Sequence, residues 1–124
     1  MAPFERFVAW QVGHRLALLV YQVTDSWPGE ERFGLTSQVR RAALSIPTNI
    51  AEGAAKRGHR EFRRFLDVAL GSLSELTYLL RFSRDRGLLT GEAWVELEGL
   101  RDEAGKLTWQ LYRKLALKTS APRP

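Results

Sequence analysis

Apolar residues recur at three- and four-residue steps along almost the whole chain of 124 residues, and this helical period constrains the fold more than any other feature. The period is interrupted by a Trp-Pro-Gly run at residues 27–29, by Gly58 and by Gly87. No segment alternates apolar and polar residues between turn signals, as a half-buried strand does. The pattern therefore predicts an all-α fold built from four helices.

Short turns between the predicted helices favour an antiparallel up-and-down four-helix bundle. The first predicted helix covers residues 7–26. Thr36 is the predicted N-cap of the second helix, in which Pro47 predicts a kink or a local break. The third helix is predicted to lie between the two glycines named above, and Thr90 to cap the fourth.

Length and composition favour one domain without a metal or cofactor. The chain is 44% hydrophobic, so we expect residues 1–119 to form a single domain and residues 120–124 a frayed tail. The sequence has no Cys, which excludes disulfides and thiolate metal sites. It also lacks a secretory signal and an apolar run approaching the ~20 residues of a membrane helix. We therefore expect a cytoplasmic protein that does not associate with membranes.

The net charge of +5 is concentrated in residues 36–66, which hold seven basic and two acidic side chains. Three of these arginines share one helix face close to the turn that contains Gly58. Clustered guanidinium groups are typical of phosphate-binding surfaces, although an ordinary solvated helix face is the alternative. The predicted nucleic-acid-binding residues are Arg40, Lys56, Arg57, Arg60, Arg63 and Arg64.

A line of polar residues follows the second predicted helix beside its apolar stripe, at steps of three and four. Such a line predicts a hydrogen-bonded network between helices or subunits, with a solvated face as the alternative. We interpret its Glu52, and Glu75 of the third predicted helix, as structural and not catalytic carboxylates. The predicted structural or interface network comprises Gln38, Arg41, Ser45, Asn49, Glu52 and Glu75.

The first and fourth predicted helices carry more apolar residues than one core seam requires. A surplus with several aromatic rings favours a second buried surface, such as a subunit interface. The alternative is that these residues wrap around a small core. The surplus residues are Trp10, Ala17, Leu18, Tyr21, Trp94, Trp109, Tyr112 and Leu117.

Known catalytic patterns do not fit the sequence. Neither His14 nor His59 follows a Glu by three residues, which excludes a di-iron site of the Glu-x-x-His type. Glycine-rich phosphate loops and the Gly-x-Ser-x-Gly motif are also missing. We expect no enzymatic activity, and a hydrolase that uses Glu52 and Glu75 with a divalent ion is the least favoured alternative.

Several segments together form a more specific signature. They are FVAWQ at residues 7–11, FGLTSQ at 33–38, RRAALSIPTNIAEG at 40–53, EFRRFL at 61–66 and GSLSEL at 71–76. With these segments the chain resembles the four-helix-bundle proteins encoded in ribosomal RNA intervening sequences. The resemblance spans nearly the whole chain, although the fourth helix matches only in pattern.

The resemblance implies a small up-and-down bundle that assembles as a ring-like homopentamer and has no established enzymatic activity. Some relatives act as accessory proteins of diversity-generating retroelements, where a basic pentamer engages a reverse transcriptase and nucleic acid, whereas most members stand alone. The resemblance also marks residues 40–53 as a structural and assembly element. We therefore expect a homo-oligomeric adaptor that binds structured RNA or RNA/DNA, with a protein–protein scaffold that binds nucleic acid incidentally as the alternative.

Overall fold

The computed structural model describes residues 1–119, which contain four α-helices, two short 3-10 helices and no strand. The all-α prediction with four helices is confirmed. The predicted tail at residues 120–124 lies outside the described residues. Within residues 1–119 no helix is both long and apolar enough to cross a membrane. The α-helices are α1 (Val8–Thr24), α2 (Leu35–Ala54), α3 (His59–Asp85) and α4 (Gly91–Thr119), and the 3-10 helices are Pro3–Arg6 and Gly29–Glu31.

The beginning of α2 corrects one prediction. Gly34 is the N-cap residue, whereas Thr36 lies in the first helical turn and is only 6% exposed. Its hydroxyl is buried without a hydrogen-bond partner among the described residues. The prediction of Thr36 as the N-cap is therefore wrong, because this side chain faces the core. Thr90 does cap α4, since its Oγ1 accepts a hydrogen bond from the Ala93 N–H at 3.0 Å.

Proline does not break α2, which continues through Pro47 to Ala54. Pro47 is buried against α1 at Gly13, where a Cβ atom would lie 3.7 Å from the Cβ of Pro47. The missing side chain of Gly13 thus gives the proline ring room to pack. We attribute the continuity of α2 to this packing, which offsets the lost backbone hydrogen bond.

All the α-helices contribute to one hydrophobic core. Burial of a large apolar side chain stabilises a fold by about 1.5–3 kcal/mol, so these residues account for the packing of the helices. The buried face of α1 includes Ala17, one of the surplus residues, whereas Val8 is 53% exposed. The largest fully buried apolar side chains are Leu16, Ile46, Ile50, Leu66, Leu76, Leu80 and Leu97.

Contacts between the helices bring the starts of α1 and α3 together with the ends of α2 and α4. The ring of Phe7, just before α1, lies 5.3 Å from the ring of Phe62 in α3. Phe62 also packs against Gly53 near the end of α2. Arg63 of α3 donates a hydrogen bond to the hydroxyl of Thr119, the last residue of α4, at 2.7 Å. Four chain segments thus meet at one end of the fold.

Gly53 allows α2 and α3 to approach closely. A Cβ atom at this position would lie 2.8 Å from Cδ1 of Phe62 and 2.9 Å from Cβ of Phe65. Both distances are shorter than real side-chain carbons tolerate, and the Phe62 carbonyl oxygen is only 3.2 Å away. A side chain at residue 53 would therefore force the two helices apart.

We expect Gly53→Ala to lower the free energy of unfolding by about 1–2 kcal/mol, because overpacking costs more than the helix propensity of alanine returns. Gly71→Ala is the matched control, since Gly71 lies in α3 with nothing within 4 Å of the added carbon. That change should raise the free energy of unfolding by about 0.5–1 kcal/mol. Urea unfolding followed by circular dichroism measures the free energy of unfolding of both variants. Equal changes in the two variants would contradict the close contact of Gly53 with Phe62 and Phe65.

Candidate nucleic-acid interface

The turn between α2 and α3 carries a group of exposed cations. Gly58 adopts a φ of +84°, a conformation that glycine accepts at little cost, and α3 begins at the next residue. The reversal places Lys56 and Arg57 directly before the first turn of α3, where Arg60 lies. All of these cations are exposed, so they are accessible to an anionic partner.

Two further arginines of α3 are held by neighbouring side chains. Arg64 pairs with Glu61 at 3.2 Å, but the two side chains are 68% and 47% exposed, so water screens this pair. Arg63 donates to the hydroxyl of Thr119, which is neutral and leaves the guanidinium charge uncompensated. Neither contact neutralises the region.

An aromatic ring supports two of the cations. The Lys56 ammonium lies 5.3 Å and the Arg64 guanidinium 5.2 Å from the centre of the Phe65 ring. Arg57 and Arg60 form no ion pair within residues 1–119. The structure therefore brings together five of the six predicted binding residues, and a carboxylate pairs with only one of these five among the described residues.

Sequence analysis missed three cations at the same end. Arg6 comes from the first 3-10 helix, and Lys114 and Lys118 come from the last turns of α4. Together with His59 they line one hollow of about 170 Å³, which we call the α4 hollow. The sequence did contain a signal for the two lysines. In the predicted antiparallel order the end of the fourth helix lies beside the start of the third, and therefore beside the predicted arginines. We define the basic end as Arg6, Lys56, Arg57, Arg60, Arg63, Arg64, Lys114 and Lys118.

Arg40 is not part of the basic end. Its guanidinium donates to the hydroxyl of Thr24 at 2.8 Å and to the carboxylate of Asp25 at 2.9 Å, and it lies over the ring of Tyr21 at 4.7 Å. Arg40 also lies about 21 Å from Ala54 along the helix axis at 1.5 Å per residue, and Lys56 follows beyond that end of α2. The structure thus separates Arg40 from the other predicted binding residues, and its contacts join α2 to the end of α1.

Part of the polar line on α2 forms a network with α3. Arg41 donates to the carboxylate of Glu75 at 2.8 Å, and the hydroxyls of Ser45 and Ser72 are hydrogen-bonded at 2.8 Å. Asn49 donates to the carbonyl and the hydroxyl of Ser45 at 2.8 and 2.9 Å. The first two bonds join α2 to α3, whereas the Asn49 bonds lie within α2 and orient Ser45.

The remaining polar residues of the line face solvent. The side chains of Gln38 and Glu52 are exposed and form no hydrogen bond or ion pair with the described residues. Ser72, which the sequence analysis did not select, is a partner in the network instead. Within residues 1–119 no group of three or more His, Cys, Asp or Glu side chains could hold a metal ion.

An apolar groove of about 550 Å³ lies between the first 3-10 helix, α1 and α2. Trp10 stacks on His14 with ring centres 5.0 Å apart, and Phe4 packs against Trp10 at 4.5 Å. Leu44 and Ala51 of α2 form part of the opposite wall. Of the other surplus apolar residues, Leu18, Tyr21, Trp109 and Leu117 are exposed.

These features define a small all-helical protein whose cations gather at one end of four helices. The family model of the 23S rRNA-intervening sequence protein matches residues 5–110, so the chain belongs to this family. The resemblance stated from the sequence is thereby confirmed.

A solved structure shares this fold. It is the crystal structure of a protein with unknown function from the S23 ribosomal protein family of Bacteroides thetaiotaomicron, which is 21% identical to this chain. The match covers 86% of this chain and 96% of that chain with a TM-score of 0.79. At this identity the likeness concerns the fold alone. No curated protein sequence matches this chain at a significant level.

We expect Arg40→Met to lower the free energy of unfolding by about 1 kcal/mol, because Thr24 and Asp25 lose their donor while the apolar stem is kept. Nucleic-acid affinity should stay within about twofold, since the charge lies beyond the ~8 Å Debye length from the basic end. Thermal unfolding and fluorescence anisotropy measure the two quantities. A larger loss of affinity in the folded variant would show that Arg40 contributes to nucleic-acid binding.

Proposed function

We propose that the protein is a non-enzymatic, homo-oligomeric adaptor that binds structured RNA or RNA/DNA through the basic end. The observation that carries this proposal is the convergence of cations from the first 3-10 helix, the α2–α3 turn, α3 and the end of α4. Only Arg64 among them pairs with a carboxylate within the described part of the chain.

The composition of the basic end favours recognition of the phosphate backbone. Five of its eight cations are arginines, whose planar guanidinium groups bind phosphate oxygens in pairs. Phosphate contacts position a nucleic acid without reading its sequence. We therefore infer recognition of backbone and shape, with weak sequence preference and strong dependence on salt.

Replacing Arg60, Arg63 and Arg64 together with alanine should flatten the salt dependence of RNA binding. Each phosphate contact contributes about 0.7–0.9 to the slope of log affinity against log salt, so the slope should fall by about 2–3. Fluorescence anisotropy with a labelled structured RNA at several salt concentrations measures this slope.

The matched control carries Arg15→Ala, Arg32→Ala and Arg86→Ala, which remove the same charge from exposed positions outside the basic end. This control should keep most of the slope and affinity. If the two triple variants behave alike while both remain folded, the binding surface lies elsewhere.

We further propose that the single domain is an antiparallel up-and-down bundle that assembles as a ring-like homo-oligomer. The meeting of the starts of α1 and α3 with the ends of α2 and α4 supports the antiparallel order. Five subunits are inferred from the resemblance to the family. Repetition of the basic end around a ring would multiply weak phosphate contacts.

Two apolar surfaces support the proposed assembly. One is the apolar groove on α1 and α2. The other is a short stripe on α3, where Tyr78 and Phe82 are exposed one helical turn apart with ring centres 6.3 Å from each other. A groove on one subunit that receives a stripe from the next makes a head-to-tail interface, which closes into a ring when the rotation allows.

We expect Leu44→Glu to dissociate the oligomer, because it places a charge in the apolar groove at a site that is 48% exposed in one chain. Light scattering coupled to gel filtration measures the mass. Val95→Glu is the control, since Val95 is 70% exposed on α4 and outside both surfaces, and its mass should not change. A wild-type protein with the mass of one chain would contradict the assembly.

The second candidate function is a scaffold for a protein partner in the cytoplasm, such as a reverse transcriptase, with incidental nucleic-acid binding. Trp109 on α4 favours it, because this ring is 49% exposed, stacks on Tyr112 with ring centres 5.6 Å apart and lies outside both assembly surfaces. A partner complex that is insensitive to salt, lost in Trp109→Glu and kept in the arginine variant would support the scaffold over the adaptor.

A further inference from the structure

The α4 hollow combines an apolar floor with a cationic rim. The rings of Phe7 and Phe62 and the side chain of Leu115 contribute to the floor, and Phe62 and Leu115 are buried. Three elements that are distant in sequence supply the rim, namely the first 3-10 helix, the start of α3 and the end of α4. The rim residues are Arg6, His59, Lys114 and Lys118.

No carboxylate of residues 1–119 lines the α4 hollow. Within residues 1–119, its rim side chains form no ion pair, and Arg6 contacts only the Phe7 ring through its guanidinium. A neighbouring cleft near Arg60 differs, because Glu61 and Asp67 line it as well. Walls of low polarity focus the field of cations that share one sign, so the α4 hollow attracts anions more strongly than its surroundings.

The cationic rim of the α4 hollow favours the phosphate group that carries more charge. A phosphodiester within a strand carries one negative charge and has two free oxygens. A terminal phosphate monoester carries about −1.5 to −2 charges and three free oxygens. Lys114 and Lys118 lie one helical turn apart and reach the same side of such a group.

We propose that the α4 hollow binds the terminal phosphate monoester of a nucleic-acid strand, an inference that rests on the proposed function. Arg6 supplies a planar donor for two phosphate oxygens, and the two lysines supply point charges. The strand then continues over Arg57 and Arg60, which flank His59 in the chain. The protein thus distinguishes strand ends from the interior of a nucleic acid.

The test compares one RNA sequence prepared with a 5′-phosphate, with a 3′-phosphate and with hydroxyl groups at both ends. We expect the wild-type protein to bind at least one phosphorylated form about fivefold or more tightly than the hydroxyl form, since each exposed charge pair contributes up to about 1 kcal/mol. The Lys114→Ala/Lys118→Ala variant should bind the three RNAs equally. Arg6→Ala, from a different element, should reduce the preference as well.

The matched control is Lys106→Ala/Arg113→Ala, which removes the same charge from α4 outside the hollow and should keep the preference. Adenosine monophosphate tests the other source of the same group: competition at the concentration of RNA ends would assign the hollow to free nucleotides and overturn the strand-end proposal. Equal affinity of the wild-type protein for all three RNAs would overturn the inference while the proposed function stands. Failure to bind any of them would overturn the proposed function itself.

Discussion

The close approach of α2 and α3 at Gly53 determines where the aromatic rings and the cations of the basic end lie. Because residue 53 has no side chain, Phe62 and Phe65 pack directly against the end of α2. Phe62 reaches Phe7 before α1 and forms part of the floor of the α4 hollow, while Phe65 lies beneath Lys56 and Arg64. The contact that closes the core thus also places an aromatic ring beneath two cations. This support limits the conformational freedom of the Lys56 and Arg64 side chains before any ligand binds.

The adjacent arginines of α2 show why a charge-rich sequence need not be a binding surface. Successive helical residues point about 100° apart, so Arg40 faces α1 and Arg41 faces α3. Arg40 contacts Thr24 and Asp25, and Arg41 contacts Glu75. Each pair joins two segments of the fold, but Arg41 and Glu75 are 63% and 38% exposed, so water screens their interaction as well. Both arginines serve the fold, although the sequence alone places them in the same basic segment as Arg60.

Features of this fold that depend on local sequence could be predicted, whereas those that depend on tertiary packing could not. Helix number and approximate bounds follow from a local period and from glycine and threonine signals, and these agree with the structure. The N-cap of α2 was misplaced because burial of Thr36, a tertiary effect, overrides a local capping preference. The α4 hollow was missed for the same reason, since Arg6 and Lys118 meet only after all the helices have packed. A sequence shows where charged residues cluster along the chain. It does not show which distant residue will neutralise a charge or add to it after folding.

In the proposed ring, the placement of charge would couple assembly to ligand binding. Bringing several basic ends onto one assembly costs electrostatic free energy, because like charges within a Debye length repel. A bound polyanion removes that repulsion and contacts several subunits at once, so it binds the ring more tightly than the separate subunits. By linkage, whatever favours the ring must then favour the nucleic acid to the same extent. In the proposed adaptor, repetition of the basic end by self-association would make assembly and ligand affinity rise together.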